Sequence, residues 1–473
     1  MLVEAGELTQ DPPPGEGAAQ GRPEISNLRL AAYALPSLAL AFLFLPVATL
    51  LPAYYASSLH VDLAEIGIFL LASRSLDVVI DPMIGKWSDS TPARFGRRKL
   101  WMWLGTPLIM AGAYLLLMPP LRPNGWYLLL ASFVIYVGGS AMGLSYSAWG
   151  TEIVDTYHGR SRMAAFRETF GLIGSLTAAG IPAIGAALGH GIDRFTMGIF
   201  GWTIIVVTPL TVLIAILAVG EVPIRARAAS APWLQSLADL WANVPFRLLC
   251  GAYLLFSLGG SIVTATMVFY ITYYLRQKEI VTPAFAVLPL FIVGAIPLWL
   301  LISRRIGKHR AIAYSLFSSM GIFLVLVPQL HAGQGWWFVG IVAVLAAVSG
   351  GYQVLPSGII GDVIDYDTLK HHEVRGGIYW GVWSFAQKIA PALGIGITLP
   401  LLKLFGFNPA GHSTAMGLDA LKYAYCFAII PFLFAGGMLL MRFPIDSRRH
   451  GIIRRRLEAR ARRERRTELE PLA

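Results

Sequence analysis

About twelve windows of mostly apolar residues recur along the chain, at roughly 29–54, 63–86, 100–120, 126–153, 163–188, 196–220, 245–273, 283–303, 311–329, 336–360, 377–402 and 421–441. Each is close to the length of helix that crosses a hydrocarbon core, about 20 residues or 30 Å. Only helices and closed barrels satisfy their own backbone polar groups there, so a chain with this pattern is expected to be an all-α integral membrane protein. The composition agrees: 56% hydrophobic, 14% charged, with a mean hydropathy of +0.61 over 473 residues. Soluble domains do not reach such values.

Basic residues sort by loop. Arg94, Arg97, Arg98, Lys99, Arg160, Arg162, Arg225, Arg227, Arg304, Arg305, Lys308, Arg310, Lys370 and Arg375 fall in alternate connections, whereas the opposite loops hold little beyond Arg122, Arg194, Arg276, Lys278 and Lys403. This bias predicts an even number of spans in a cell's inner membrane, with both termini cytoplasmic. Residues 1–28 are acidic and Gly/Pro-rich without an apolar core, which reads as a disordered tail rather than a signal peptide. Much of the net charge of +11 lies after the last window, in RFPIDSRRHGIIRRRLEARARRERRTE. That places residues 443–473 as a solvated basic tail near lipid headgroups; without aromatic interleaving it does not read as a nucleic-acid partner. Cys250 and Cys426 lie in apolar windows without CxxC spacing, so they are expected to pack, with no disulfide, metal or cofactor.

The stretch EVPIRARAASAPWLQSLADLWANVP divides the windows into two sets of six, so residues 29–221 and 244–442 are expected to form two bundles joined by a linker at 222–243. The sets look related. IGKWSDSTPARFGRRK after the second window recurs weakly as ISRRIGKHR after the eighth, and YSAWGTEIVDTYHGRSR recurs as YQVLPSGIIGDVIDYDTLKHHEVR. Two pseudo-symmetric six-helix bundles around a central cavity are the arrangement of parallel-repeat transporters, with substrate bound near the bilayer midplane.

Charges inside the windows mark the chemistry. In SRSLDVVIDPMIGKW, Asp77 and Asp81 share one helix face a turn apart. An acid at mid-membrane costs about 2.5–3.5 kcal/mol on insertion scales, and two repel each other. A bound cation offsets that cost: paired carboxylates with neighbouring oxygens suit Na⁺, the one sense in which these acids would be metal ligands, and a desolvated aspartate suits H⁺. Arg74 stands one turn away and neutralises one acid when the site is empty. Lys388 is the matching lone cation of the second set, too deep to reach the interface. Together they form a charge network, either a coupling element or a purely structural ion-pair cluster.

Trp149 could stack on a flat substrate group or simply pack. Arg167 could pair an intramembrane acid or bind an anionic group. Glu152, Asp155, Arg160, Asp362, Asp365, Asp367 and Arg375 fall at cytoplasmic helix ends and read as a gate of salt bridges between the bundles, or as solvated surface.

In this order, RSLDVVIDPMIGKWSDSTPARFGRRKLW, RSRMAAFR, GDVIDYDTLKHHEVRGG and the later Lys388 resemble the glycoside-pentoside-hexuronide:cation symporter family of the major facilitator superfamily, the melibiose permease type, from about Leu30 to Arg442. The resemblance implies the major facilitator fold and symport of a small solute with Na⁺ or H⁺ by alternating access, in a monomer. It implies that Asp77 and Asp81 bind the cation and that Lys388 lies between cation and sugar. Trp149, Arg167 and Ser384 would then face the sugar. The family pattern has aspartates for galactosyl hydroxyls on spans 1 and 4; Ser37 and Ser145 occupy those places here. With a first span of Leu, Ala, Phe and Pro, an amphiphile such as a lysophospholipid stands beside a sugar as the cargo.

Two other readings are open on residues alone. The DxxxD pair with Asp362, Asp365 and Asp367 could hold Mg²⁺ and a prenyl diphosphate in a membrane-embedded prenyltransferase, although the twelve windows in two sets, the basic loop directly after the second window and the depth of Lys388 favour a transporter, not an enzyme, and the absence of GxxxxGK[ST] counts against an ATP-driven pump. An uncoupled facilitator of the same fold would ignore ion gradients.

Overall fold

The computed structural model describes residues 25–91, 96–153, 157–220, 240–371, 376–446, 449–453, 455–457 and 459. Most of the N-terminal tail and linker expected above, and the end of the basic tail, lie outside the described residues. The membrane helices are α1 (Asn27–Ser58), α2 (Leu63–Ser90), α3 (Arg97–Leu117), α4 (Gly125–Ile153), α5 (Tyr157–Ala187), α6 (Arg194–Ala218), α7 (Val244–Tyr274), α8 (Val281–Ile306), α9 (Lys308–Val325), α10 (Gly335–His371), α11 (Gly376–Leu404) and α12 (Ala415–Met441). Among the described residues, eleven are long and apolar enough to cross a membrane by length and composition. The exception, α2, is long enough at 28 residues but carries the intramembrane charges.

The helix ends follow from local chemistry. Ser26, Asp62, Asp193, Asn243 and Thr414 cap α1, α2, α6, α7 and α12, each side chain accepting a backbone N–H that has no intrahelical partner. Pro46 and Pro52 lack an N–H inside α1, and the backbone answers with π-type turns at Pro46–Leu50 and Tyr54–Ser58. Where α3 meets α4 the small residues decide the approach. A Cβ on Gly105 would lie 2.7 Å from the Gly138 carbonyl oxygen, and one on Gly112 would lie 2.6 Å from the Ile135 Cα.

The two halves repeat each other. Within the first, α1 packs on α5 and α6, α2 on α4, and α3 on α4 and α6; adding six to each label gives the packing of the second. The repeat extends to backbone detail. α1 ends in a π-turn at Tyr54–Ser58 followed by His60 in the left-handed region (φ 58°), and α7 in a π-turn at Tyr270–Tyr274 followed by Arg276 (φ 57°). Leu59 and Leu275 donate to Tyr54 and Tyr270 in the same way, as do Val61 and Gln277 to Tyr55 and Ile271. This is the expected architecture of two related six-helix bundles.

Between the halves, α2 packs on α11 and α5 on α8. The start of α1 at Asn27 and the end of α12 at Met441 lie at what is here termed the terminal face; the opposite end is the far face. At the far face the Lys403 ammonium meets Asp62 at 2.7 Å. Deeper, Gly67 is so close to Pro400 that a Cβ would stand 2.7 Å from its Cδ, and a Cβ on Gly396 would stand 2.6 Å from the Leu71 Cβ. Along α2 and α11 the contacts between the halves include this far-face seam and, near mid-membrane, the Lys388 ammonium against Asp77 and Asp81.

The described ion pairs of the expected gate residues at the terminal face lie within each half. Glu152 takes Arg97 at 2.5 Å and Arg98 at 2.8 Å, both from its own half. Asp362 takes Lys308 at 2.8 Å from its own half, and His450 reaches Asp362 at 3.4 Å and Asp365 at 3.2 Å. Glu152, Asp362 and Asp365 therefore do not join the halves through these pairs, because closer partners lie on adjacent helices of the same bundle. The Arg160 side chain, Asp155 and Arg375 lie outside the described residues. The tail is also not wholly solvated as expected: Phe443, Ile445 and Ile453 are buried as it folds back toward α10.

Candidate ion and substrate site

Asp77 lies at the middle of α2, about 21 Å from either end at 1.5 Å per residue. It is fully buried, and every oxygen is used. Ser140 Oγ of α4 donates to Oδ1 at 2.7 Å, Arg74 Nη1 to Oδ2 at 3.3 Å, and Lys388 Nζ of α11 to Oδ2 at 3.0 Å. One turn on, Asp81 Oδ2 meets the same ammonium at 2.5 Å, while its buried Oδ1 has no hydrogen-bond partner. Arg74 is steadied from the side by the Tyr136 ring, 3.8 Å from its guanidinium carbon.

The expected constellation of Asp77, Asp81, Arg74 and Lys388 is thus brought together in one place. Two carboxylates and two cations balance, which is how four charged groups persist at this depth. The balance depends on the partner half, because Lys388 is the member contributed across the seam. It bridges both acids as a tethered cation, occupying the position that a mobile cation would take between two carboxylates. Asp81 Oδ1 beside it is a buried acceptor left unsatisfied.

A cavity of about 370 Å³ adjoins this cluster, lined by α1, α2, α4 and α11. Leu40, Leu43, Phe44, Val47, Ala48, Ile135 and Leu144 make most of its wall, and Arg74, Ser140, Ser147, Tyr136 and Lys388 supply its polar atoms. A space this apolar with two cations in its wall suits a molecule with an apolar body and an acceptor-bearing end.

The expected substrate residues divide. Lys388 lines the cavity. Trp149 does not: it is fully buried in the first half, edge-on to Tyr33 at 5.4 Å, with the Lys99 ammonium 5.6 Å from its ring. Ser145 is equally buried and shares a hydrogen bond of 3.2 Å with Ser88, which accepts from Arg98 at 3.0 Å, so it belongs to the terminal-face network of Glu152. Ser37 donates to the backbone oxygens of Ala34 and Arg167, tying α1 to α5. The Arg167 guanidinium lies 4.8 Å from the centre of the Tyr146 ring. Ser384 is half-buried one turn from Lys388, outside the cavity lining. In this conformation Trp149, Ser145, Ser37 and Arg167 hold the first half together, because each finds a partner there before it reaches the cavity.

Sequence reasoning passed over Ser140 and Tyr136. A serine or tyrosine in an apolar span carries no charge signal. The available clue was their spacing on α4, four residues apart and so on one face.

The second acid cluster belongs to a different place. Asp362 and Asp365 sit near the terminal end of α10 against Lys308 and His450, whereas Asp77 and Asp81 are at mid-membrane, so the two do not form the diphosphate site of a prenyltransferase.

Comparison with known proteins agrees with the geometry. Residues 32–447 match the family model described as MFS/sugar transport protein. The chain is 24% identical over 444 residues to the sodium-dependent lysophosphatidylcholine symporter 1 of Gallus gallus, covering 84% of this chain and 82% of that one. It is 22% identical over 440 residues to the glucuronide carrier protein homolog of Escherichia coli K12, covering 90% and 94%. Among solved structures, a bacterial homolog of the human lysosomal transporter Spinster, inward-facing and unoccupied, superposes with a TM-score of 0.58 at 13% identity over 92% of this chain and 98% of its own. A structure solved for substrate recognition in proton-dependent oligopeptide transporters reaches 0.62 at 14% identity, covering 90% and 99%.

Proposed function

The chain belongs to the MFS/sugar transport protein family, within the cation symporters of the major facilitator superfamily, and from that premise we propose that it carries an amphiphilic organic solute across the membrane together with Na⁺ or H⁺. It is a membrane transporter rather than an enzyme. The observation that carries the reading is Lys388 of one half held between Asp77 and Asp81 of the other. An internal cation that an external one can replace links ion binding to the seam between the halves, since loading the acids frees Lys388 and loosens that seam.

In this reading the terminal face is cytoplasmic, in a cell's inner membrane, as the basic loops favour. The closed far face then makes the conformation inward-open, and the terminal-face acids Glu152, Asp362 and Asp365 wait within their own halves for the outward-open state. The apolar cavity favours a single-chain amphiphile over a sugar, whose several hydroxyls would need more acceptors than Ser140, Ser147 and Tyr136 provide. The lysophosphatidylcholine relative supports that choice, and the glucuronide relative keeps a glycoside as the competing cargo.

Uptake into proteoliposomes with imposed Na⁺ or pH gradients tests the reading, using lysophosphatidylcholine and a glucuronide as probes. Lysophosphatidylcholine should accumulate with one of the gradients, and Asp77→Asn or Asp81→Asn should abolish accumulation while leaving some exchange. Normal accumulation by both variants would refute the ion site; accumulation of the glucuronide alone would refute the amphiphile.

A further inference from the structure

Ser140 lies in α4, 6% exposed, and its hydroxyl works in two directions: it donates to Asp77 Oδ1 at 2.7 Å and accepts from the Lys388 ammonium at 2.8 Å. The same side chain lines the cavity. Helices α2, α4 and α11, from both halves, thus meet at one hydroxyl.

The two bonds differ in what a guest cation does to them. Asp77 and Ser140 stand on α2 and α4, which pack together inside one half, so their bond is made whether or not a guest is present. Lys388 comes from the other half and must leave the acids for a guest to enter, so its bond to Ser140 exists only in the unloaded site. A contact made equally in two states shifts nothing between them, whereas one made in a single state shifts the equilibrium by its whole worth.

We propose that Ser140 is a positioning residue that keeps Lys388 between Asp77 and Asp81, and thereby sets the cation concentration at which the site loads. The inference rests on the ion-coupled reading above and deepens it. Its place on the cavity wall gives the hydroxyl a second role. A polar group of the cargo bound beside Ser140 competes with Lys388 for the same oxygen, which eases cation loading, and by linkage the loaded cation raises affinity for cargo to the same degree.

The test uses Na⁺ and H⁺ themselves as probes, on full-length protein in liposomes adsorbed to a solid-supported membrane, with charge displacement recorded after Na⁺ or pH jumps. Losing a hydrogen bond to a charged group from the unloaded state alone lowers the half-saturating concentration of the responsive ion about tenfold in Ser140→Ala. Ser140→Thr, which keeps the hydroxyl, retains the wild-type value. Ser140→Cys, close in size but a weak donor and acceptor, falls between them and guards against a folding defect from lost volume. A higher half-saturating concentration in Ser140→Ala would make Ser140 a direct cation ligand and overturn the proposal. Unchanged values in both Ser140→Ala and Ser140→Cys would overturn it too, leaving a packing role. A wild type silent to both ions removes the symport reading and this inference with it, whereas a responsive wild type with insensitive variants removes the inference alone.

Discussion

Removing the Lys388 ammonium tests the charge balance at mid-membrane most directly. In the intact cluster Asp77 and Asp81 are matched by Arg74 and Lys388. Lys388→Ala leaves two carboxylates against one guanidinium, with Asp77 fully buried and Asp81 holding an orphaned oxygen, so one negative charge is uncompensated. Breaking a buried pair by removing one partner costs about 3–5 kcal/mol, whereas removing both partners together is often nearly neutral. The double variant Lys388→Ala/Asp81→Asn restores neutrality and should therefore recover most of the stability lost by the single variant, a coupling of about 2 kcal/mol or more between residues in direct contact. The assay is unfolding of the purified protein in detergent by chemical denaturant, followed by tryptophan fluorescence, for wild type, both single variants and the double. Na⁺ added to Lys388→Ala should also recover stability if Na⁺ is the coupling ion, because a mobile cation then occupies the vacated place. If the double variant is as unstable as Lys388→Ala, the loss comes from missing side-chain packing, and the argument from charge fails.

Further outcomes follow from the seam and from the buried aromatic. A Val side chain at Gly67 would collide with Pro400, whose Cδ already lies 2.7 Å from a Cβ there, so Gly67→Val should force the far face open; a paramagnetic-label distance between Leu121→Cys and Ala410→Cys that stays unchanged would refute this. At Asp62 burial pushes the carboxyl pKa up, but the bond from Lys403 and the backbone N–H of Ala64 outweigh it and hold the value below the ordinary 3.8. A depressed carboxylate contributes its stabilisation above the ordinary value and loses it as pH falls through the lower one, so the same label distance should not respond around neutral pH and should lengthen only in strong acid. Asp62→Asn should lengthen it at all pH values. Trp149→Phe should cost about 1–3 kcal/mol of stability through lost packing while leaving the KM for cargo unchanged, whereas Phe44→Ala at the cavity wall should raise KM; a raised KM in a fully stable Trp149→Phe would restore the tryptophan to the substrate site.

The legible part of the site was its charge. Asp77, Asp81, Arg74 and Lys388 stood out because an ionisable group within oil needs a partner, and the structure joins all four. Uncharged members gave no such signal: the family pattern picked out Ser145 and passed over Ser140 and Tyr136, yet the latter two face the cluster and cavity while Ser145 is locked against Ser88. Trp149 and Arg167 matched a family pattern in position along the chain, but their side chains are taken up inside the first half in this conformation. The terminal-face acids were likewise visible as acids, and their partners were not, since Arg98 and Lys308 reach them only through the packing of α3 on α4 and α9 on α10.

The amino-acid sequence alone determined the helical membrane architecture, the related halves and the four charges at mid-span, because span length, desolvation cost and helical spacing are local quantities. Tertiary structure alone decided that Lys388 sits between both acids, that Ser140 joins them, that the far face is sealed by Gly67 against Pro400, and that the cavity wall is apolar. Spacing along a helix fixes which face a residue shares, but the neighbour across that face is set by how separate helices pack.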